Sequence, residues 1–209
     1  MLLCAIVSQA QINKGAILLG GNIGAGTQSS NADAGTSKNN NLNISPVFGI
    51  AIKENLVFGL NLSFWSNKNE TELAPSHQTQ KNSEYGTGVF LRKYKPIGKS
   101  GFSAFIQGSF GYGNGTGSYE DAVTKTESTT HKFDISVYPG FSYAISKRLQ
   151  LETGFNKLLS LSWFNQKQTI TNTGSSPTSS TLKGVNLSTS LDNFASSLYL
   201  GFRVLLNKV

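Results

Sequence analysis

Large apolar side chains recur at every second position in eight stretches of the chain, separated by Gly, Ser, Asn or Ala. Phe58-Gly59-Leu60-Asn61-Leu62-Ser63-Phe64 shows the rule. A period of two belongs to β-strand and gives it two faces of different chemistry. The pattern predicts strands over about 15–27, 42–53, 56–67, 83–95, 101–114, 132–146, 149–164 and 190–206. Each is longer than the roughly 9–11 residues that cross a bilayer at a tilt. Three connections are short (53–55, 96–100 and 146–148), and four are long, polar stretches expected to be loops (28–41, 68–82, 115–131 and 165–189). Short and long connections alternate, with both termini on the short-turn side. That is the signature of an all-β, eight-stranded antiparallel up-and-down transmembrane β-barrel.

The face that meets the surroundings decides between two barrels. On strand two, Ile44, Pro46, Phe48, Ile50 and Ile52 share one face; Asn43, Ser45, Val47, Gly49 and Ala51 share the other. Strand six sets Phe133, Ile135, Val137, Phe141, Tyr143 and Ile145 against Asp134, Ser136, Tyr138, Gly140, Ser142 and Ala144. A soluble, lipocalin-like barrel would turn the large side chains inward around a ligand and show water a nearly uncharged surface. Soluble surfaces are about a quarter to a third charged, whereas charged residues are only 14% of this chain. A membrane barrel turns the large residues outward and fills a narrow interior with the small ones, which accounts for low charge beside only 38% apolar residues. No apolar run approaches the roughly 18 residues a spanning helix needs. Aromatics near strand ends (Phe64, Tyr85, Phe102, Phe110, Tyr112, Tyr143 and Trp163) fit interfacial girdles. Pro46 and Pro139 each remove a ladder hydrogen bond, and a bulge is expected at Pro139.

Residues 1–10 read as a signal-peptide remnant, a short apolar run ending in the small-x-small site Ser8-Gln9-Ala10, and residues 11–209 as the barrel. The single cysteine, Cys4, lies in the remnant, so disulfide and thiol chemistry are not expected in the barrel. A lipoprotein reading of Cys4 is weak, because Leu3 stands where a small residue belongs. Strands two and three also echo strands six and seven: Pro46 to Phe58 aligns with Pro139 to Leu151 without a gap.

Charge is concentrated at one end. Lys14, Lys53, Lys93, Lys95, Lys99, Lys147, Arg148 and Lys208 lie near the proposed periplasmic rim, opposed by Glu54 alone, and equal the chain's whole excess of +7. The core of this rim is Lys53, Lys95, Lys99, Lys147 and Arg148. Such a ring suits anionic lipid headgroups, at about 1 kcal/mol per favourable charge. Nucleic-acid binding is not expected, since the charges are scattered over turns and no recognition fold is visible. Four charges, Glu84, Arg92, Glu152 and Arg203, fall on the inner face and are expected to form one lumen network. With Phe90, Tyr94, Phe105, Tyr138 and Tyr199 also inward, the lumen is expected to be plugged.

The segments Ile44-Ser45-Pro46 through Phe58-Gly59, Gly88 through Tyr94, Tyr138-Pro139-Gly140-Phe141 through Leu151-Glu152, and Leu198 through Arg203 resemble the OmpA/OmpX-type outer-membrane barrels, specifically stand-alone members with no peptidoglycan-binding domain. The resemblance implies the outer membrane of a Gram-negative bacterium, outer-membrane lipids and lipopolysaccharide as surroundings, and the barrel-assembly machinery as a partner. Many relatives end in an aromatic residue, whereas this chain ends Asn207-Lys208-Val209. Three functions are open: a structural or surface-interaction role through four long extracellular loops, a narrow porin-like channel, and a lipid-modifying rim enzyme. The last would need His77 or His131, and neither shows a His-x-Ser arrangement, so no enzyme is expected. No metal or other cofactor is expected: two histidines on separate loops make a poor metal site, and the glycine run Gly20–Gly26 lies in a strand rather than before a helix.

Overall fold

A computed structural model describes residues 11–32, 35–73, 76–155, 157–189 and 198–206. The proposed signal remnant, the first part of the last expected strand and Lys208 lie outside the described residues. The described chain is all-β, with ten strands: β1 (Ile17–Ala32), β2 (Gly35–Lys53), β3 (Leu56–Leu73), β4 (Ser76–Pro96), β5 (Phe102–Glu120), β6 (Thr124–Ala144), β7 (Leu149–Phe155), β8 (Leu159–Asn172), β9 (Thr178–Thr189) and β10 (Leu198–Leu206). Every pairing is antiparallel. Neighbours in sequence pair from β1 through β6, β6 passes to β7, β7 to β10, and β10 back to β1. These eight close a barrel at the short-turn end, while β8 and β9 continue the wall above β7 and β10.

The polar connections are not loops. β3 and β4 stay in register from Leu56↔Lys93 to Leu73↔Ser76, and β5 and β6 from Phe102↔Tyr143 to Glu120↔Lys125. The expected loops 28–41, 68–82, 115–131 and 165–189 are therefore largely strand, joined by tight tips such as Asp121–Val123. Both faces of these extensions meet water, so no apolar alternation marks them. Cross-strand Thr, Ser and Asn pairs hold them instead, as in Asn67–Asn39 (3.3 Å) and Thr169–Ser179 (2.9 Å).

The expected strand 149–164 is broken into β7 and β8. Gly140 faces Gly154 and Val137 faces Leu159, so three steps along β6 are matched by five on its partner. Lys157 in the interval has φ +55°, a left-handed conformation that bends the chain there. The irregularity lies opposite Pro139, which has no partner on that side among the described residues. The extra residues are on the neighbouring strand rather than at the proline. Pro46 behaves alike: β2 and β3 pair at Ile44↔Phe64 and resume at Val47↔Asn61, skipping the proline.

The two faces divide as the alternation requires. Phe48, Phe58, Leu60, Leu91, Phe110, Phe133, Phe141 and Phe202 stand exposed on the outside, and none of them belongs to the interior. A ligand-enclosing soluble barrel is thereby excluded. Cross-strand aromatic pairs mark the ends of this belt: Phe102–Tyr143 (4.6 Å between centroids) below, Phe64–Tyr85 (4.9 Å) and Tyr112–Phe133 (5.0 Å) above.

At the short-turn end the interior is mostly apolar, with Ser103, Ser142 and Gln150 buried beside the apolar side chains. Ile12, Ala16, Leu18, Ala51, Val57, Phe90, Tyr94, Phe105 and Leu205 form one buried cluster. Ile12 enters from the segment before β1, fixed by its N–H donating to Asn55 Oδ1 (3.0 Å) and its carbonyl accepting from Asn55 N–H (2.9 Å). Phe90 and Phe105 lean over the neighbouring strands because those strands carry glycine at the facing positions. A Cβ at Gly59 would stand 2.5 Å from Phe90, and one at Gly140 2.5 Å from Phe105.

Among the described residues the seam between β1 and β10 is paired only in part. Their pairing there runs from Ile17↔Leu206 to Gly21↔Phe202, while Leu198–Gly201 pair with β7 alone. Above that rung no pairing joins the described residues of the two strands.

Candidate functional site

The inner wall carries a layer of charge directly above the apolar floor. Arg92 on β4, Glu152 on β7 and Arg203 on β10 are each buried, Glu152 completely. Period two places all three inward, and the registers Gly201↔Glu152 and Arg203↔Gln150 set β7 and β10 side by side. Arg92 reaches across from the far wall: its Nη1 donates to both Glu152 oxygens, at 2.7 and 2.9 Å. Tyr94 Oη donates to Glu152 Oε1 (2.9 Å), and Arg92 Nε donates to Gln107 Oε1 (2.8 Å). The Arg92 guanidinium also lies 4.5 Å from the centroid of the Phe105 ring, a cation–π contact in a desolvated place.

Arg203 is held less well. Its Nε stands 3.1 Å from Glu152 Oε2, but the N–H is not aimed at it and makes no hydrogen bond. Among the described residues its Nη1 reaches only backbone oxygens, those of Phe202 (3.1 Å) and Gly21 (3.4 Å). Two guanidiniums thus face one carboxylate, and Arg92 and Tyr94 take most of that carboxylate's capacity.

Glu84 does not join this network. It pairs with Lys132 at 3.3 Å, nearer the hairpins, and is substantially exposed. A second such pair joins Lys157 to Asp134 at 3.3 Å. Sequence alone could not separate these levels, because strand tilt and register decide which inward residues share a height. Gln107 and Ile12 were not anticipated. Ile12's signal was faint, a lone apolar residue between Gln11 and Asn13. Gln107 was visible only as an inward position on strand five.

Above the charge layer a polar vestibule of about 360 Å³ opens toward the hairpins, lined by Asn61, Ser63, Gln107, Ser109, Tyr138 and Tyr199 among others, with Arg92 and Arg203 at its floor. Below the floor, Lys53, Lys95, Lys99, Lys147 and Arg148 are all exposed at the short-turn end. Lys93 and Lys95 alternate with inward Arg92 and Tyr94, so they point outward at the lower edge of the belt.

The histidines stand on different hairpins. His77 lies 3.8 Å from Glu72 and 3.2 Å from Thr79; His131 lies 2.8 Å from Tyr112 Oη and 3.1 Å from Asn114. Among the described residues no group of three or more His, Cys, Asp or Glu side chains could hold a metal.

No family model matches the chain, and no curated protein matches it. Among solved structures, it is similar to Neisserial surface protein A, with a TM-score of 0.38 and 14% identity over 94% of this chain and 97% of that one. It is also similar to a major outer membrane protein from Thermus thermophilus, with a TM-score of 0.45 and 11% identity over 91% of this chain and 99% of that one. The barrel assignment itself rests on the strand pairing described above.

Proposed function

We propose that this chain is an integral outer-membrane β-barrel protein of a Gram-negative bacterium, sealed at its periplasmic end, with a structural or surface-interaction role performed by its polar hairpins. One observation carries the reading: an exposed apolar belt surrounds a buried, charged interior. In water this inversion leaves the phenylalanines and leucines hydrated, and in hydrocarbon each Å² of that surface is favoured by about 25 cal/mol. The basic rim supports the orientation, since Lys93 and Lys95 would lie among lipid headgroups on the short-turn side, at about 1 kcal/mol each. The hairpins would then rise from the cell surface among lipopolysaccharide, and the barrel-assembly machinery would insert the chain.

The sealed floor favours this role over conduction. Ile12, Phe90, Tyr94 and Phe105 pack into one buried cluster below the charge layer, and a barrel of eight strands has little room beyond its own side chains. Refolded protein should run faster unheated than boiled on a gel. It should give no stepwise current in a planar bilayer, whereas Ile12→Gly combined with Phe90→Ala should. Steady single-channel steps from the unaltered protein would replace this proposal with the narrow-channel reading.

A further inference from the structure

We infer that the vestibule is a binding site for a single-chain amphiphile with one negative charge, a long-chain carboxylate, its head on Arg203 and its tail leaving the barrel through the β1–β10 seam. This goes beyond the surface role, and three independent observations converge on it.

The first is the charge surplus. Two buried guanidiniums share Glu152, and the Arg203 Nε–H has no hydrogen-bond partner although Arg203 is only 6% exposed. A buried donor left unmade is costly, and one to a charged acceptor is among the strongest available. Among the described residues the surplus is one charge, because Lys157 and Lys132 are already matched by Asp134 and Glu84. A monoanionic carboxylate satisfies it, whereas a doubly charged phosphate ester overshoots it.

The second is access. Arg203 lines the vestibule and lies flat across β1 because residue 20 is glycine, where a Cβ would collide with its side chain.

The third is the seam. Arg203 pairs with Gly20 one rung below Gly21↔Phe202, the last rung of the seam among the described residues. Asn22 and Gly201 line the vestibule just above that rung. Continued upward, the register would set Ile23 beside Leu200. Both are instead left at 76% and 65% exposure, the highest values among the large apolar residues of these two strands. A charged head anchored inside, an unpaired stretch of seam beside it, and two bare aliphatic side chains along that stretch describe the course of an acyl chain.

The test uses the folded barrel in nanodiscs of zwitterionic lipid, titrated with carboxyl-labelled palmitate and followed by the carboxylate carbon resonance. A saturable protein-bound signal is expected, with affinity lower by about tenfold or more in Arg203→Gln. That variant leaves Arg92 and Glu152 matched one to one, so its heat-modifiable gel mobility should persist. Methyl palmitate, without the charge, should not compete. Ile23→Cys with Leu200→Cys, in a Cys4→Ser background, locks the seam when oxidised. The oxidised form should lose palmitate and regain it on reduction, while still binding acetate. No saturable signal, or equal affinity in Arg203→Gln, overturns the site. Unchanged palmitate binding by the oxidised form overturns the lateral route.

Discussion

Removing Glu152 should unfold this barrel more readily than removing either arginine that meets it. The carboxylate has no solvent exposure and receives Arg92 Nη1 at 2.7 and 2.9 Å and Tyr94 Oη at 2.9 Å, with Arg203 Nε at 3.1 Å. Glu152→Ala strands two guanidiniums in a desolvated layer. Breaking a buried pair by deleting one partner costs about 3–5 kcal/mol, most of it the isolated charge left behind. Arg92→Met should cost nearly as much, since it deletes two charge-assisted bonds and a cation–π contact yet leaves Glu152 with Arg203. Arg203→Gln should cost least, about 1 kcal/mol, because it leaves a balanced pair. With a slope of about 2 kcal/mol per molar urea, Glu152→Ala should lower the urea midpoint by roughly 2 M. The assay is urea unfolding in detergent, followed by gel mobility and by the fluorescence of Trp65 and Trp163. A midpoint for Glu152→Ala within about 0.5 M of the parent, or Arg203→Gln falling as far as Glu152→Ala, would refute the reasoning from charge balance.

Three further outcomes are expected. Ile12→Ala removes a fully buried member of the apolar cluster and should cost about 2–4 kcal/mol in the same urea titration. Gly59→Val drives a side chain into Phe90 and should lower stability by about 1–3 kcal/mol or prevent insertion, with Gly59→Val/Phe90→Ala recovering part of the loss. At the β5–β6 tip, the backbone N–H groups of Val123 and Thr124 donate to Asp121 and hold its carboxyl below the usual carboxylate range. A folded pKa below the unfolded one means the turn is stabilised above the ordinary carboxylate value and loses that support as pH falls through the lowered one. Once corrected for intrinsic chemistry, hydrogen exchange at Val123 and Thr124 should therefore accelerate on acidification, and Asp121→Asn should abolish that dependence.

The barrel was legible in the sequence because its two faces differ so sharply. Ile44, Phe48, Ile50 and Ile52 against Ser45, Gly49 and Ala51 fix both period and orientation, and the strand boundaries at the short turns follow. Legibility ended where the surroundings stop differing. Residues 76–83 and 116–131 are wet on both faces, so strand and loop have the same composition there, and only pairing across the hairpin distinguishes them. Of the interior charges, Arg92, Glu152 and Arg203 were readable as inward and mutually opposed. Glu84 was inward too, but its height on β4 matches Lys132 rather than Glu152. Parity gives the face of a residue and register gives its level; the sequence carries the first and not the second.

The continuous pairing of β5 with β6 sets a distance. Eight residues of β5 lie beyond Tyr112, the last aromatic of the belt on that strand. At ~3.4 Å per residue and a tilt near 40°, the Asp121 tip stands roughly 20 Å clear of the bilayer surface. Because the stalk is hydrogen-bonded along its whole length, a peptide spliced in at that tip would be displayed on a stiff mast. An antibody or phage fibre reaching it would lose little of its binding energy to ordering the support.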